Sequence, residues 1–315
     1  MMRLSHKTGL LSIATVLLYG LALSSESIGQ ESGWDVGVRK LPPPAAVSKE
    51  LHDSIKAAAA PDVEASKQSA PKTEEQWKAT IGALAAGGTP LETMEKQNGV
   101  TITPYEVESV PVYYVVPEKP NPAHADHVFI HVHGGGYVFG GGDSCAGEAS
   151  VIAGRIGIQV LSIDYRMPPE FPFPAAVIDV VTVYKELIEK TPPSKMAIGG
   201  TSAGGGLALA FVHQLKSLGL EVPGAIYAGT PWADLTITSD SLFTNEGVDR
   251  VLVTPHGMLK SMADLYAGNR NKKNPMISPV YGDFEGFPPT YLITGTRDML
   301  LSDTVRVHRK LRRAG

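Results

Sequence analysis

Hydrophobic and polar residues follow one another along this chain in two periods, one typical of strands and one typical of helices. Short apolar or alternating runs predict strands at residues 100–107, 110–116, 128–132, 159–163, 195–198, 225–228 and 290–294. The first two of these strands are expected to pair with each other. Apolar residues at helical spacing predict helices at residues 48–60, 73–86, 144–156, 174–189, 203–217, 256–266 and 302–313. Because strands and helices alternate from residue 128 onwards, the pattern predicts an α/β fold with a mostly parallel sheet flanked by helices.

Two parts of the chain do not fit this alternation. Residues 30–98 precede every predicted strand and contain two helices, and residues 233–275 form an insertion that is long for a connection between strands. We expect both parts to form a helical cap above the carboxyl ends of the strands, where ligands bind in open α/β sheets. Helices packed on the sheet would give the same pattern. Residues 99–315 then form the main α/β domain, which contains the insertion.

The first residues resemble an export signal. Basic residues precede an apolar stretch at 9–23, and small polar residues follow it at 24–27. Because a bilayer span needs about 20 apolar residues, this stretch predicts a cleaved signal peptide over residues 1–29 rather than a stable membrane anchor. The protein is therefore expected in the periplasm or outside the cell. Its single cysteine, Cys145, allows no internal disulfide.

The charge of the chain argues against two classes of partner. Its 28 basic and 32 acidic residues give a net charge of −4, which provides no positive field for nucleic acid or an anionic membrane. The glycine-rich corners lack the G-x-G-x-x-G and Walker patterns of nucleotide sites. His131 and His133 have the spacing of two metal ligands on a strand, but no further ligand accompanies them, so no metal or cofactor is expected.

The most informative stretch is Gly200-Thr201-Ser202-Ala203-Gly204, which lies between a predicted strand and a predicted helix. Glycines on both sides of a serine allow a sharp turn that exposes the hydroxyl above the sheet, an arrangement called a nucleophile elbow. A serine hydroxyl needs a base, a carboxylate that orients the base, and donors for the oxyanion. Ser202 is thus the candidate nucleophile, and the N–H group of Ala203 is a candidate oxyanion donor.

A second glycine-rich segment offers further donors. His133 and three glycines follow the predicted strand at 128–132, and residues without side chains let consecutive N–H groups turn into a site. We expect the N–H groups of Gly135 and Gly136 to complete an oxyanion hole with that of Ala203. The same glycines would also suit a flexible turn, but their occurrence together with the elbow favours the functional interpretation.

Several motifs occur together in a fixed order: His133-Gly-Gly-Gly136, Asp164-Tyr-Arg-x-x-Pro-Glu170, Phe173-Pro-Ala-Ala176, Gly200-x-Ser-Ala-Gly-Gly205 and Gly295-x-Arg-Asp298. Through them the chain resembles the bacterial hormone-sensitive-lipase family of α/β-hydrolases over about residues 70–315. The resemblance implies an α/β-hydrolase fold, a helical cap and carboxylesterase activity on short-chain acyl esters. Thr201 stands where aspartate is commonest in the family, and it is similar to a subgroup with threonine at that position.

The resemblance also implies the catalytic acid. Asp298 follows the predicted strand at 290–294, where the acid of the family lies. Asp303, five residues later, is the competitor, but its place in the first turn of the next helix predicts a capping role. Asp164 and Arg166 are expected to form a structural ion pair, with bracing of the oxyanion loop as the alternative.

A convincing base is not found in the sequence. In this fold the histidine follows the acid, and the only histidine after Asp298 is His308. A helix would separate the two by roughly 15 Å at 1.5 Å per residue, and polar neighbours of His308 predict an exposed position. His131 and His133 are poorer alternatives, interpreted as a core histidine and a loop-orienting histidine. We therefore expect a chain truncated before its last strand and its catalytic histidine.

The sequence thus predicts a serine carboxylesterase for a small ester substrate. Tyr137, Phe139 and Trp232 are candidate pocket residues, although core packing explains them equally well. The chain as it stands is expected to be poorly active. A non-catalytic member that binds a small ligand would also combine an intact elbow with a missing base, and an amidase or peptidase would use the same catalytic groups. Exposed sheet edges allow a homodimer.

Overall fold

The computed structural model describes residues 40–315, so the predicted signal peptide at 1–29 lies outside the described residues. Its strands are β1 (Val100–Val107), β2 (Val110–Pro117), β3 (Val128–Val132), β4 (Gln159–Ile163), β5 (Met196–Thr201), β6 (Ala225–Gly229) and β7 (Thr290–Ile293). Its α-helices are α1 (Lys49–Ala57), α2 (Val63–Gln68), α3 (Glu74–Ala86), α4 (Leu91–Asn98), α5 (Ala146–Ile156), α6 (Ala175–Ile188), α7 (Ala203–Leu218), α8 (Asp240–Thr244), α9 (Lys260–Ala267) and α10 (Leu301–Arg313). Helix α1 belongs to a compact unit that ends at Ala58, and the other elements belong to the unit Ala59–Gly315.

The seven strands of the described chain form one sheet in the order β1-β2-β4-β3-β5-β6-β7. β2 pairs antiparallel with β1 and β4, and the remaining pairs are parallel. This confirms the predicted mostly parallel sheet and the predicted pairing of the first two strands. Because β3, β5, β6 and β7 are parallel, their carboxyl ends lie at one edge of the sheet, and the candidate loops follow these four strands.

Helices cover both faces of this sheet. In β3, Ile130 and Val132 enter a hydrophobic cluster with α6 and α7, whereas Phe129 enters a second cluster with α5. Successive side chains of a strand point to opposite faces, so the two clusters form the two sides of the core. The apolar residues of α7 from Leu207 to Val212 are all buried, and this burial fixes the direction in which α7 leaves β5.

The helices at the start of the chain differ in number from the prediction. The predicted helix at 73–86 is α3, and Thr73 caps it by accepting a hydrogen bond from the N–H of Gln76 at 3.3 Å. The short helices α2 and α4 were not predicted, because few of their side chains are buried and the apolar period is correspondingly weak. None of the helices in residues 40–315 is long and apolar enough to cross a membrane.

The insertion at 233–275 contains α8 and α9. The helix predicted at 256–266 begins only at Lys260, because His256 has ψ 149° and Gly257 has φ 93°, both outside the helical range. A Cβ atom at Gly257 would overlap the carbonyl oxygen of Ser66, so this glycine lets α2 pack against the Pro255–Leu259 segment. The insertion therefore contacts a helix that precedes the sheet, while the boundaries of a cap stay a prediction.

Candidate active site

The turn between β5 and α7 has the strand–turn–helix context that the elbow prediction requires. Ser202 has φ 60° and ψ −121°, a conformation that costs a residue with a side chain of order 1–3 kcal/mol. A Cβ atom at Gly200 or Gly204 would overlap the carbonyl oxygen of Val132 in β3. Only glycine therefore fits at these two positions. Because glycine has no side chain, the turn can pack directly against β3.

Backbone hydrogen bonds hold Ser202 in this conformation. Its N–H group donates to the carbonyl oxygen of Gly229 at 2.8 Å, at the carboxyl end of β6. Its carbonyl oxygen accepts from the N–H groups of Gly206 at 3.0 Å and Trp232 at 2.9 Å. The elbow is thus tied both to α7 and to the segment after β6, and surroundings of this kind are what sustain a strained residue.

The glycine loop after β3 lies against the elbow. A Cβ atom at Gly134 would come within 2.8 Å of the Thr201 carbonyl oxygen and 3.6 Å of the Ser202 Cβ. Gly135 and Gly136 have φ 101° and 64°, which only glycine adopts without strain. In residues 40–315 no group accepts a hydrogen bond from the N–H of Gly135 or Gly136. The loop beside Ser202 therefore offers two free donors.

A third donor lies at the start of α7. Ala203 is the first residue of this helix, and the first N–H groups of a helix have no partner within it. No side chain caps this helix. The N-terminal end also carries the positive end of the helix dipole, which favours a negative charge nearby. The arrangement can accommodate an oxyanion next to the Ser202 hydroxyl.

His133 supports the glycine loop rather than facing a substrate. Its ring stacks on Tyr165 at 4.1 Å between ring centroids, and its Nδ1 atom lies 2.8 Å from the carbonyl oxygen of Gly134. The Tyr165 hydroxyl donates to the carbonyl oxygen of His133 at 2.8 Å. Burial lowers the pKa of His133 to about 4, so the ring is neutral at pH 7. These contacts agree with its interpretation as a loop-orienting histidine.

The expected ion pair between Asp164 and Arg166 is not formed. Arg166 pairs instead with the buried Asp179, at 2.7 Å between Nη2 and Oδ1. Asp164 accepts a hydrogen bond from the N–H of Gly142 at 3.0 Å. Asp179 lies on α6, which brings its carboxylate within reach of Arg166 through tertiary packing that the sequence pattern does not show. Asp164 therefore acts on the glycine-rich loop without its arginine neighbour.

Asp298 lies in the turn after β7, at the same edge of the sheet as Ser202. One carboxylate oxygen accepts a hydrogen bond from the Thr230 hydroxyl, and the other accepts from the N–H of Leu300 at 2.7 Å. Burial raises the pKa of Asp298, and the Thr230 hydroxyl acts in the opposite direction. Thr230 directly follows Gly229, whose carbonyl oxygen binds the N–H of Ser202. A single short segment thus joins the acid candidate to the elbow.

Asp303 does not cap its own helix, contrary to the prediction. Its carboxylate, in the first turn of α10, accepts hydrogen bonds from the N–H groups of Ala233 at 3.0 Å and Asp234 at 2.8 Å, and from the Ser239 hydroxyl. The residue is 1% exposed, and burial raises its pKa to about 7. Asp303 fastens the start of the insertion to α10, a tertiary contact between residues that lie far apart in sequence.

Two of the candidate pocket residues lie in the core. Tyr137 and Trp232 are each 1% exposed. The Tyr137 ring stacks on Tyr266 of α9 at 4.0 Å and lies 6.0 Å from the Trp232 ring. The half-buried Phe139 lies 6.2 Å from Trp77. The structure therefore favours the core-packing interpretation of Tyr137 and Trp232, which join the insertion to the loop after β3.

None of the histidines in the described chain forms a hydrogen bond with Ser202 or Asp298. His131 is fully buried and contacts Ser162 at 2.7 Å, which agrees with its interpretation as a core histidine. His308 is exposed on α10, as its polar neighbours predicted. Within residues 40–315, no group of three or more His, Cys, Asp or Glu side chains is placed to hold a metal ion.

Sequence reasoning overlooked one residue at the elbow. Glu148, in the first turn of α5, accepts a hydrogen bond from the hydroxyl of Thr201, the residue before the candidate nucleophile. The two residues are 53 positions apart, so no local spacing links them. The only available signal was Thr201 itself, a polar side chain at the end of a buried strand that requires a partner.

Comparisons with known proteins agree with this architecture. A family model described as the alpha/beta hydrolase fold matches residues 129–315. An acetyl-hydrolase of Streptomyces hygroscopicus is 35% identical over 208 residues, which make up 65% of this chain and 69% of that protein. The crystal structure of an esterase, E25, superposes with a TM-score of 0.86 at 44% identity, covering 90% of this chain and 87% of that one. A crystal structure of an esterase from the bacterial hormone-sensitive lipase family has a TM-score of 0.65 at 31% identity and covers 82% of this chain and 86% of that one. The predicted α/β-hydrolase fold is thereby confirmed.

Proposed function

Since the chain belongs to the α/β-hydrolase-fold family and is similar to an acetyl-hydrolase and to esterases, we propose that it is a serine carboxylesterase for short-chain acyl esters. The observation that carries the proposal is the pair of free N–H groups of Gly135 and Gly136, in a loop that touches Ser202. Donors held without a partner suit a negative charge that forms only during reaction.

In the proposed reaction, the Ser202 oxygen attacks the ester carbonyl carbon while a base takes the hydroxyl proton. The carbonyl oxygen becomes an oxyanion and accepts hydrogen bonds from the N–H groups of Gly135, Gly136 and Ala203, each worth about 3 kcal/mol. The bond to the alcohol oxygen then breaks, and the base returns the proton to the leaving alcohol. A water molecule, activated by the same base, attacks the acyl-serine, releases the acid and restores Ser202.

Asp298 is proposed as the carboxylate that orients the base. Its position after β7 places it at the carboxyl edge of the sheet, and the Thr230 hydroxyl stabilises its ionised form. An ionised carboxylate would hold the imidazole in the correct tautomer and stabilise the imidazolium that forms. Asp303 is unsuited to this role because both of its oxygens bind the insertion and the residue is 1% exposed.

We propose that the base is a histidine outside these 315 residues. The contacts of His131 and His133 and the exposure of His308 support this proposal. Translation of the reading frame beyond codon 315 should reveal a further segment with a histidine, and a protein that includes it should hydrolyse esters much faster than the 315-residue chain. A stop codon directly after codon 315, or equal turnover by both proteins, would contradict the proposal.

The nucleophile is tested by replacing one hydroxyl. Ser202→Ala, in the protein translated from the complete reading frame, should abolish hydrolysis of a short-chain p-nitrophenyl ester because no other group replaces the nucleophile. Ser217→Ala removes an exposed serine from the far end of the same helix and should leave turnover unchanged. Wild-type turnover by Ser202→Ala would overturn the assignment of Ser202.

One observation favours a second function. Because no histidine in residues 40–315 bonds to Ser202 or Asp298, the site could bind a small ester without cleaving it. If this second function is correct, the protein translated from the complete reading frame should bind the ester, as measured by calorimetry, but should release no product. Product release that depends on Ser202 would rule out this binding-only function.

A further inference from the structure

A carboxylate outside the proposed catalytic groups holds the residue before the nucleophile. Thr201 ends β5, and its hydroxyl donates a hydrogen bond to Oε1 of Glu148. Glu148 belongs to α5, which follows the glycine loop in sequence and packs on the sheet. The reaction proposed for Ser202 assigns Glu148 no chemical step.

The other oxygen of Glu148 faces a buried histidine. Nε2 of His131 lies 3.2 Å from Oε2 of Glu148, and Nδ1 of His131 lies 2.7 Å from the Ser162 hydroxyl. Ser162 in turn donates to the carbonyl oxygen of Cys145 at 2.8 Å, just before α5 begins. The contacts therefore run from the elbow across three neighbouring strands, β5, β3 and β4, and return to α5, which carries Glu148.

The surroundings keep Glu148 charged. Burial raises the pKa of this carboxyl, but the hydrogen bonds from His131 and Thr201 outweigh burial, and the pKa lies below its usual value. His131 and Ser162 are fully buried, whereas 32% of the Glu148 side chain is exposed. A hydrogen bond to an ionised acceptor is about twice as strong as one between neutral groups. The charged carboxylate of Glu148 therefore holds the Thr201 hydroxyl more firmly than a neutral acceptor would.

The position of Thr201 affects both halves of the proposed site. The residue after it, Ser202, has φ 60°, a conformation that persists only when the surrounding structure imposes it. The carbonyl oxygen of Thr201 also lies close to Gly134, since a Cβ atom on Gly134 would come within 2.8 Å of this oxygen. A displacement of Thr201 would therefore move the hydroxyl of Ser202 and the loop that carries the oxyanion donors.

We propose that Glu148 is a positioning residue for the nucleophile. Its carboxylate fixes Thr201, and His131 fixes the carboxylate, so that Ser202 and the glycine loop keep their relative geometry. The inference rests on the proposed role of Ser202 as nucleophile. Because Glu148 acts through Thr201 and not on the ester, its loss should lower kcat and leave KM nearly unchanged, since small misplacements of a reacting group cost rate more than binding.

The proposal is tested by measuring kcat and KM of four variants. Each variant is made in the protein translated from the complete reading frame. Thr201→Val removes the hydroxyl at nearly constant volume and should lower kcat about tenfold, with KM within about twofold of wild type. Thr201→Ser restores a hydroxyl and should recover most of the loss. Glu148→Ala should match Thr201→Val, and the double variant should be no slower than either single variant, because both remove the same interaction.

The control is Glu92→Gln, which removes a carboxylate from the first turn of α4 where its side chain is 77% exposed. It should leave kcat and KM unchanged. Wild-type kcat in Thr201→Val, a change confined to KM, or additive losses in the double variant would each overturn the proposal. If Glu148→Ala does not fold, the comparison of Thr201→Val with Thr201→Ser decides the question alone.

A readout that does not depend on turnover separates this proposal from the proposed function. Hydrogen–deuterium exchange of the peptide over residues 196–207 should be faster in Thr201→Val than in wild type and unchanged in Glu92→Gln. If the wild-type protein hydrolyses no ester, the proposed function fails, and faster exchange then supports only the structural part of the inference, that the Thr201 hydroxyl holds the elbow in place. Equal exchange in Thr201→Val and wild type would then overturn the positioning role.

Discussion

Replacement of the buried carboxylate of Asp303 by an amide should stabilise the protein at neutral pH relative to acidic pH. Asparagine has the same shape as aspartate, and its carbonyl oxygen can keep both hydrogen bonds from the N–H groups of Ala233 and Asp234. Its amide nitrogen then faces the hydroxyl of Ser239, which can accept instead of donating. The substitution therefore removes a charge and preserves most contacts.

The size of this effect on the free energy of unfolding follows from the pKa of the buried Asp303 carboxyl. Burial raises the pKa of Asp303 from 3.8 to about 7, so the folded protein keeps a proton that the unfolded chain has released over this pH range. The contribution of Asp303 to the free energy of unfolding of the wild type thus falls as the pH rises from about 4 to 7. At 1.36 kcal/mol per pKa unit, this contribution falls by about 4 kcal/mol in total. It stays constant at pH values above the pKa of Asp303 in the folded protein. The asparagine side chain of the Asp303→Asn variant does not ionise and avoids this loss.

Urea unfolding followed by circular dichroism measures the effect. The difference between the free energies of unfolding of Asp303→Asn and wild type should grow by about 4 kcal/mol from pH 4 to pH 8. Asp283→Asn is the control, because this carboxylate is 78% exposed and water solvates it in both states. A difference for Asp303→Asn that stays constant within about 1 kcal/mol over this range would refute the reasoning.

Two further predictions concern single contacts. Thr230→Val should move the acidic limb of the pH profile of kcat/KM to higher pH, because the lost hydroxyl no longer opposes the burial that raises the pKa of Asp298. An unmoved limb, measured between pH 4 and 9, would contradict the role of Asp298. Cys145 is fully buried and burial raises its pKa, so Ellman's reagent should modify it only in denaturant. Rapid reaction of the native protein would show that this core opens.

The elbow and the glycine loop could be located in the sequence because their geometry is local. A strand followed by glycine, Ser202, glycine and a helix has few conformations open to it, and the structure contains the expected turn. The same holds for the parallel sheet, since the alternation of strands and helices leaves little choice of topology. The catalytic role of each residue in these turns stays a proposal that kinetics must test.

The partners of buried polar groups could not be found in this way. Glu148 meets Thr201 and Asp303 meets Ala233 only because the strands and helices pack in one register. Tyr137 and Trp232 looked equally suited to a pocket and to a core, and packing of α9 over the loop after β3 places them in the core. Aromatic side chains serve both purposes with the same chemistry, so their sequence position does not separate the two.

The sequence by itself determined the order of the strands and of the helices that pack on the sheet, the class of the sheet, and the two glycine-bordered turns around Gly135 and Ser202. These features depend on the period of apolar residues and on conformations that only glycine adopts, and both are properties of short segments. The tertiary structure alone decided which buried charges meet, and hence how Thr201 and the start of the insertion are held. Those contacts join residues tens of positions apart, and a buried polar group requires a partner without specifying where in the chain that partner lies.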